Sequence, residues 1–503
     1  MRWPRPLAER LALALALSAC GRVDPPGRLE TDPAPSTLPR PVATVVAPSA
    51  PEEPTALPVL DKSRQEPGQG EKIASLAMRT WVYDEPRDGS RKLGYLRAGA
   101  VVDRAAESAG TKGCEGGWYR VEPRGYVCVG KGATLDLNDP IVLSMPRAPR
   151  RGEPTPYLYV MSGSPPPNLY FRLPTEDDQS RVEGGGVKNH AIEQRHVFDA
   201  FPTDPIPEFL AAGKNLPQPY GSTKELSYSV HRGRAKEESA FGLVTTFEWT
   251  NRLFGMTTEL DLIPLDRTKP ARISKVDGVK LEHGGRPAFV LASGTTFYHQ
   301  VNGRLVAAGP APPRSGWELT GKSEGGATGL LETTTDGLWL PAPGVVVGDL
   351  TKDRVDYATR GRKWISVSIR KQLLIAFEGE TPVYATLISS GRGGMSDPDE
   401  TTATIRGSFF IRSKHVSGTM DGDETSEDSF DLRDVPYIQY FHEGYALHAA
   451  YWHDDFGKER SHGCVNLPPA AAAWLFEWTD PPVPKDWHGA MSQQGGTLVW
   501  IHG

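Results

Sequence analysis

The chain has 503 residues, 38% of them hydrophobic and 23% charged, which is longer than one compact core fills and suggests roughly three domains. A net charge of -6 without a basic stripe gives no footing for a nucleic-acid partner. The 45 prolines and 53 glycines favour short strands, turns and linkers, so a mainly β protein is predicted, with some helix near the C-terminus.

Residues 1–20 read as a leader. Arg2, Arg5 and Arg10 precede the apolar run Leu11–Leu17, which is too short to span a bilayer but suits the core of a secretory signal. Leu17-Ser18-Ala19-Cys20 follows and resembles the bacterial lipobox. That resemblance implies that Cys20 is lipidated and becomes the first residue of an exported protein on the periplasmic face of the envelope. Gly21 behind it implies retention at the outer membrane. An ordinary signal peptide with an incidental cysteine is the alternative. Residues 21–72, rich in Pro, Ala, Glu, Ser and Thr, cannot bury enough apolar surface to offset their ordering entropy and read as a tether.

From 73 to 136, short apolar stretches alternate with turn signals (RTWVYDEP, KLGYLRAGAVVDR, GGWYRVEPRGYVCV), the cadence of a small β-barrel. Leu93-Gly94-Tyr95-Leu96, Gly117-Trp118-Tyr119 and Gly125-Tyr126-Val127-Cys128 resemble a bacterial SH3-type domain. Adjacency of the last two strands in that family implies a cystine between Cys114 and Cys128, which an oxidising compartment permits. Trp118 and Tyr119 are either core residues or an exposed surface for wall peptide or glycan, and core is the preferred reading.

The stretch 137–360 is loop-rich, with strand-like runs at PYLYVM, ESAFGLVTTFEW, TTELDLIPL and RPAFVLASGTTFYHQV, and reads as a β-rich region without an assigned role. His190, His196, His231, His283 and His299 are scattered without ligand spacing. Residues 333–349 (TTDGLWLPAPGVVVGD) read either as another hairpin of the SH3 type or as the lead-in to the last domain.

Seven of the 12 histidines fall after residue 414, in the domain predicted over 361–503. It opens with three predicted strands, at 364–369, 372–377 and 382–391. Its chemistry lies in Ser461-His462-Gly463-Cys464-Val465-Asn466. A cysteine in a glycine-flanked turn is a nucleophile's position, and its thiol must lose a proton to a nearby base. His448, at the end of a strand-like run sixteen residues upstream, can supply that base if the chain folds back.

The run from His448 through SHGCVN resembles the signature of the L,D-transpeptidase (YkuD-type) catalytic domain. Thr404-Ile405-Arg406-Gly407-Ser408-Phe409 resembles that family's T-P-x-G-x-F segment, with Ile405 where proline is usual. Pro436-Tyr437 and Gln439-Tyr440-Phe441 also match its habit. The resemblance implies a β-sandwich-like fold with a short helix after the catalytic loop. It makes Cys464 the nucleophile, His448 the general base and acid, and the Ala449 carbonyl the group that orients the imidazole. His462 and Ser461 would support the loop, the N–H groups of Gly463 and Cys464 would form an oxyanion hole, and Asn466 would hold the loop.

By the same resemblance the partner is a peptidoglycan stem peptide, no cofactor is needed, and the acceptor is another stem, water or a protein amine. Two other readings stay open. One makes His448, His453, Asp454, His462 and Cys464 metal ligands, although no HxxxH or CxxC spacing supports it. The other makes the chain a non-catalytic wall-binding lipoprotein. The acidic stretch 418–434 reads as a solvated loop or as a lid over the donor site. With Cys20 assigned to lipid and Cys114 with Cys128 to a cystine, Cys464 is the one thiol left free.

Overall fold

The computed structural model describes residues 70–199, 201–211, 213–222, 229–326, 329–350, 361–421 and 431–503. Cys20, the leader and the tether as far as residue 69 lie outside the described residues, as do 422–430 within the acidic stretch.

Short strands form where the N-terminal pattern predicts them, at Glu71–Ser75, Thr80–Tyr83, Lys92–Leu96, Val101–Arg104, Trp118–Arg120 and Tyr126–Cys128. The first starts two residues ahead of the expected border at 73. Ile73, Val82, Leu96, Val102, Val121 and Val127 point inward and are buried together. Cys114 and Cys128 are disulfide-bonded. Trp118 is buried and meets Tyr83 edge-on at 5.5 Å, so it is a core residue. This unit is not hung on a linker, because Lys92–Leu96 hydrogen-bonds to the C-terminal strand Gly489–Met491. Gly94 permits that approach, since a Cβ there would sit 2.2 Å from the Gly489 carbonyl oxygen.

The middle region has two parts. Residues 140–270 carry the strands Leu158–Ser162, Ala240–Trp249, Arg252–Thr257, Leu262–Pro264 and Thr268–Pro270. They also form helices at Glu176–Glu183 and Val187–Gln194, which a purely β-rich reading did not anticipate. Thr175 and Asp178 cap the first helix reciprocally, as a capping box does. The second part, 286–347, is a seven-stranded sheet. The 333–349 stretch lies inside it, with Trp339–Pro341 paired to Leu330–Thr333 and Val345–Val347 paired to Arg286–Val290. It is therefore neither a free-standing hairpin nor a lead-in.

The C-terminal domain packs two sheets face to face. In one, Lys363–Ser368, Leu373–Glu378 and Thr381–Leu387 form the three predicted antiparallel strands. Leu498–His502 joins them in parallel and Gly407–Phe410 lies beyond it. Trp364 and Phe377 are cross-strand partners whose rings stack at 4.1 Å, a pair of the kind that stabilises a sheet by about 0.2–1 kcal/mol. The other sheet contains Ser413–Asp421, Asp431–His442, Tyr445–Ala449, Val465–Leu467 and Gly489–Met491. Ile365, Val367, Leu374, Leu447, Val465 and Leu475 fill the space between. Each contributes about 1.5–3 kcal/mol of burial.

The helix expected after the catalytic loop is Pro469–Trp478, an alanine-rich segment with proline in its first turn. Ala471, Ala472, Leu475 and Phe476 are buried. Two lysines satisfy its last carbonyls. Lys414 Nζ donates to Phe476 O and Thr479 O, and Lys363 Nζ donates to Trp478 O at 2.9 Å.

Candidate active site

Strand alternation decides which side chains face the site. Tyr445–Ala449 and Val465–Leu467 run parallel, with Leu447 opposite Val465, His448 opposite Asn466 and Ala449 opposite Leu467. Leu447, Ala449, Val465 and Leu467 go into the core between the sheets. The period of two therefore puts His448, Asn466 and, just before the strand, Cys464 on the opposite face. Ala446 and Cys464 pack together in a second cluster on that side.

The loop carrying Cys464 is fixed by backbone hydrogen bonds to residues 389–392. Ser389 and Asn466 exchange both N–H···O bonds at 2.9 Å, Ser461 N–H donates to Ser390 O at 3.0 Å, and Arg392 N–H donates to Ser461 O at 2.9 Å. Thr404, from the segment resembling T-P-x-G-x-F, accepts the Gly391 N–H on its hydroxyl at 2.8 Å. Gly463 adopts φ +127°, which favours glycine, and a Cβ there would lie a tight 3.0 Å from the Tyr445 ring.

His448 Nδ1 donates to the Ala449 carbonyl oxygen at 3.0 Å. A carbonyl can only accept, so Nδ1 carries the proton and the Nε2 lone pair is the one that can take up a proton. The ring lies against Trp452, with centroids 5.8 Å apart and planes inclined by 24°. Burial pushes the imidazole down to about 4. Burial likewise pushes the Cys464 thiol up to about 11, against a backbone hydrogen bond from Ala446. The thiol is half-buried and 3.5 Å from the Gly444 carbonyl oxygen. Burial thus favours the uncharged form of both groups, a thiol and a neutral imidazole.

Ser461 is buried, and its hydroxyl donates to the Cys464 carbonyl while accepting the Gly463 N–H at 3.1 Å. The Gly463 N–H, expected to serve an oxyanion hole, is thus hydrogen-bonded within the turn in this structure. Asn466 is buried with its side-chain amide 2.9 Å from His453 Nε2, which suits a role in holding the loop. His462 is exposed at the edge of the cleft.

The cleft holding Cys464, His448, His462 and Asn466 has a volume of about 1250 Å³, ample for a peptide. Sequence reading missed a third of its wall, eight of the 24 lining residues. Met161, Ser162, Glu238, Lys269 and Arg272 come from the middle region, and no motif or spacing pointed to them. The second part of that region braces the rim. Arg314 donates to Asp454 Oδ2 at 2.6 Å, and Ser274 donates to the other oxygen of the same carboxylate. Among the described residues, no group of three or more His, Cys, Asp or Glu side chains is arranged to hold a metal ion.

Residues 362–501 match the YkuD family model, described as the L,D-transpeptidase catalytic domain. No match is found among curated proteins. Among solved structures, the chain is similar to an L,D-transpeptidase from Xylanimonas cellulosilytica at 26% identity, covering 28% of this chain and 61% of that one, with a TM-score of 0.20. The chain thus spans less than two thirds of that structure's length. It is also similar to the catalytic domain of an E. faecium L,D-transpeptidase at 24% identity, covering 28% and 98%, with a TM-score of 0.22. An L,D-transpeptidase from Mycobacterium smegmatis matches at 15% identity, covering 47% and 100%, with a TM-score of 0.23. Over residues 362–501, this chain carries the catalytic domain of the YkuD L,D-transpeptidase family.

Proposed function

We propose that the chain transfers the acyl group of a peptidoglycan stem peptide through a thioester on Cys464. The observation that carries this reading is the fixed tautomer of His448: its Nδ1–H is held by Ala449 O, in the cleft that also contains Cys464. As the sulfur attacks the carbonyl between the diamino acid's L-centre and the terminal D-alanine, its proton passes to His448 Nε2. The carbonyl oxygen becomes an oxyanion facing the Cys464 N–H, since the Gly463 N–H is engaged elsewhere. Collapse breaks the C–N bond, His448 returns the proton to the leaving amine, and D-alanine departs. A side-chain amine of a second stem then attacks the thioester after losing a proton to His448, which gives a 3-3 cross-link and restores the thiol. No metal or cofactor takes part in any of these steps.

Export to an oxidising compartment is part of this reading and is supported by the Cys114–Cys128 disulfide. The lipid anchor on Cys20 and the SH3-like identity of residues 73–136 are proposals resting on the residue patterns given above.

The test is D-alanine release from a tetrapeptide stem, with an amine-bearing second stem present. The wild-type chain is expected to release D-alanine and form the cross-linked product. Cys464→Ala should show neither, and His448→Ala should be slower by about 100-fold or more. Release without cross-linking would identify water as the acceptor. Release by Cys464→Ala at the wild-type rate would refute the thioester.

A further inference from the structure

The middle region, for which the sequence offers no role, forms a wall of the cleft. Thr268–Pro270 pairs with Leu158–Ser162 through Lys269 and Met161, and Leu158–Ser162 pairs with Ala240–Trp249. Ala240 in turn pairs with Leu432 of Asp431–His442, the strand beside the one that carries His448. The wall that presents Lys269 and Arg272 is therefore hydrogen-bonded into the sheet that carries His448, and its position relative to Cys464 is fixed by backbone geometry.

Counted over the described residues, the charge of this cleft is opposite to that of the protein. The chain carries a net charge of -6. The cleft, however, is lined by Lys269, Arg272, Arg392 and Arg460 against two carboxylates, Glu238 and Asp454. The Asp454 carboxylate is already held by Arg314 and Ser274. Arg460 pairs with Asp455 at 3.2 Å. Lys269 and Arg272 are exposed and form no ion pair among the described residues. Two cations without an ion-pair partner among the described residues, on a wall hydrogen-bonded into the sheet beside Cys464, suit an anionic ligand. A stem peptide meets this requirement, since it ends in a D-alanine carboxylate and bears further carboxylates along its length.

We propose that Lys269 and Arg272 form a carboxylate-binding subsite, through which the middle region selects stem peptides with free carboxylates over amidated ones. The proposal rests on the acyl-transfer reading for the identity of the ligand, but its test does not depend on turnover. The dissociation constant is measured by calorimetry on the full chain carrying Cys464→Ala, for a tetrapeptide with free carboxylates and for the same peptide with carboxamides. The acid is expected to bind about fivefold to tenfold more tightly at low salt, and the advantage should shrink as salt rises. Adding Lys269→Gln and Arg272→Gln should abolish the preference while leaving binding of the amide unchanged. Equal alkylation of Cys464 by iodoacetamide, with and without these two substitutions in the wild-type background, reports that the cleft is intact. If the preference for the acid survives both substitutions, or never exists, the subsite is refuted whatever the turnover. If the charge-dependent binding is found but the wild type releases no D-alanine, acyl transfer fails and the subsite stands.

Discussion

His448 donates its Nδ1–H to the carbonyl oxygen of the next residue, Ala449, at 3.0 Å, so the imidazole is oriented by its own backbone and not by an acidic third residue. A carbonyl fixes the tautomer without adding a negative charge. It therefore does little to offset burial, which pushes the imidazole down to about 4.

This arrangement sets the pH profile. The reactive form is thiol plus neutral imidazole. Activity should rise as His448 loses its proton near pH 4 and fall only as Cys464 loses its own near 11. The expected kcat/KM profile is a plateau from about pH 5 to about pH 10 with no inflection near 6.5, the ordinary histidine value. Alkylation of Cys464 by a neutral reagent should still be climbing above pH 9. An activity limb at pH 6–7 that disappears in His448→Gln would show that the imidazole is solvated and not desolvated.

Arg252 holds the first part of the middle region together. It binds Glu183 and Asp266 through five nitrogen–oxygen contacts shared with Gln179, at 2.9–3.0 Å, and all four side chains are buried. Burial pushes the Glu183 carboxyl up, but the Arg252 hydrogen bonds and charge outweigh it and hold the group below the usual carboxylate range. Arg252→Ala would leave two buried carboxylates with only the longer Arg267 contacts and the Tyr170 hydroxyl, and should destabilise the protein by about 3 kcal/mol in denaturant titration. Arg252→Lys should recover only part of that loss, because an ammonium cannot serve both carboxylates with a planar fork.

Lys414 gives a stability signature with a definite sign. Burial lowers its ammonium to about 7. Between that value and the ordinary lysine range, the unfolded chain binds a proton that the folded chain has released, so the lysine's contribution to stability rises with pH across the window. Thermal melts of wild type and Lys414→Met from pH 7 to pH 10 should diverge, with wild type gaining on the variant. The variant should also be less stable at pH 7 by about 1–3 kcal/mol, since Phe476 O and Thr479 O lose their donor. A constant difference across the window would place the Lys414 ammonium in its ordinary range.

The parts of this protein that sequence made legible are those whose causes are local. Cys464 and His448 share one short stretch, and Leu447/Ala449 against Val465/Leu467 is an alternation that a reader can count. The three opening strands of the C-terminal domain follow from equally short-range patterns, whereas the cystine is implied only by the resemblance to an SH3-type domain. The role of the middle region was illegible because its contacts are long-range: Arg314 meets Asp454 across 140 residues, and Lys269 reaches the cleft only because Ala240 pairs with Leu432. The helix at Glu176–Glu183 could have been found, since Thr175 and Asp178 are a readable capping box within a proline-rich stretch that obscured it. The engagement of the Gly463 N–H by Ser461 depends on a side-chain rotamer, which no residue pattern specifies.

The most direct measurement is intact-mass spectrometry of the full chain after exposure to a carbapenem, a β-lactam that acylates a reactive thiol of this kind. Wild type should gain a single adduct that maps to the peptide containing Cys464, and Cys464→Ala should gain none. An adduct of equal yield on Cys464→Ala, or no adduct on a folded wild-type protein, would contradict Cys464 as the nucleophile.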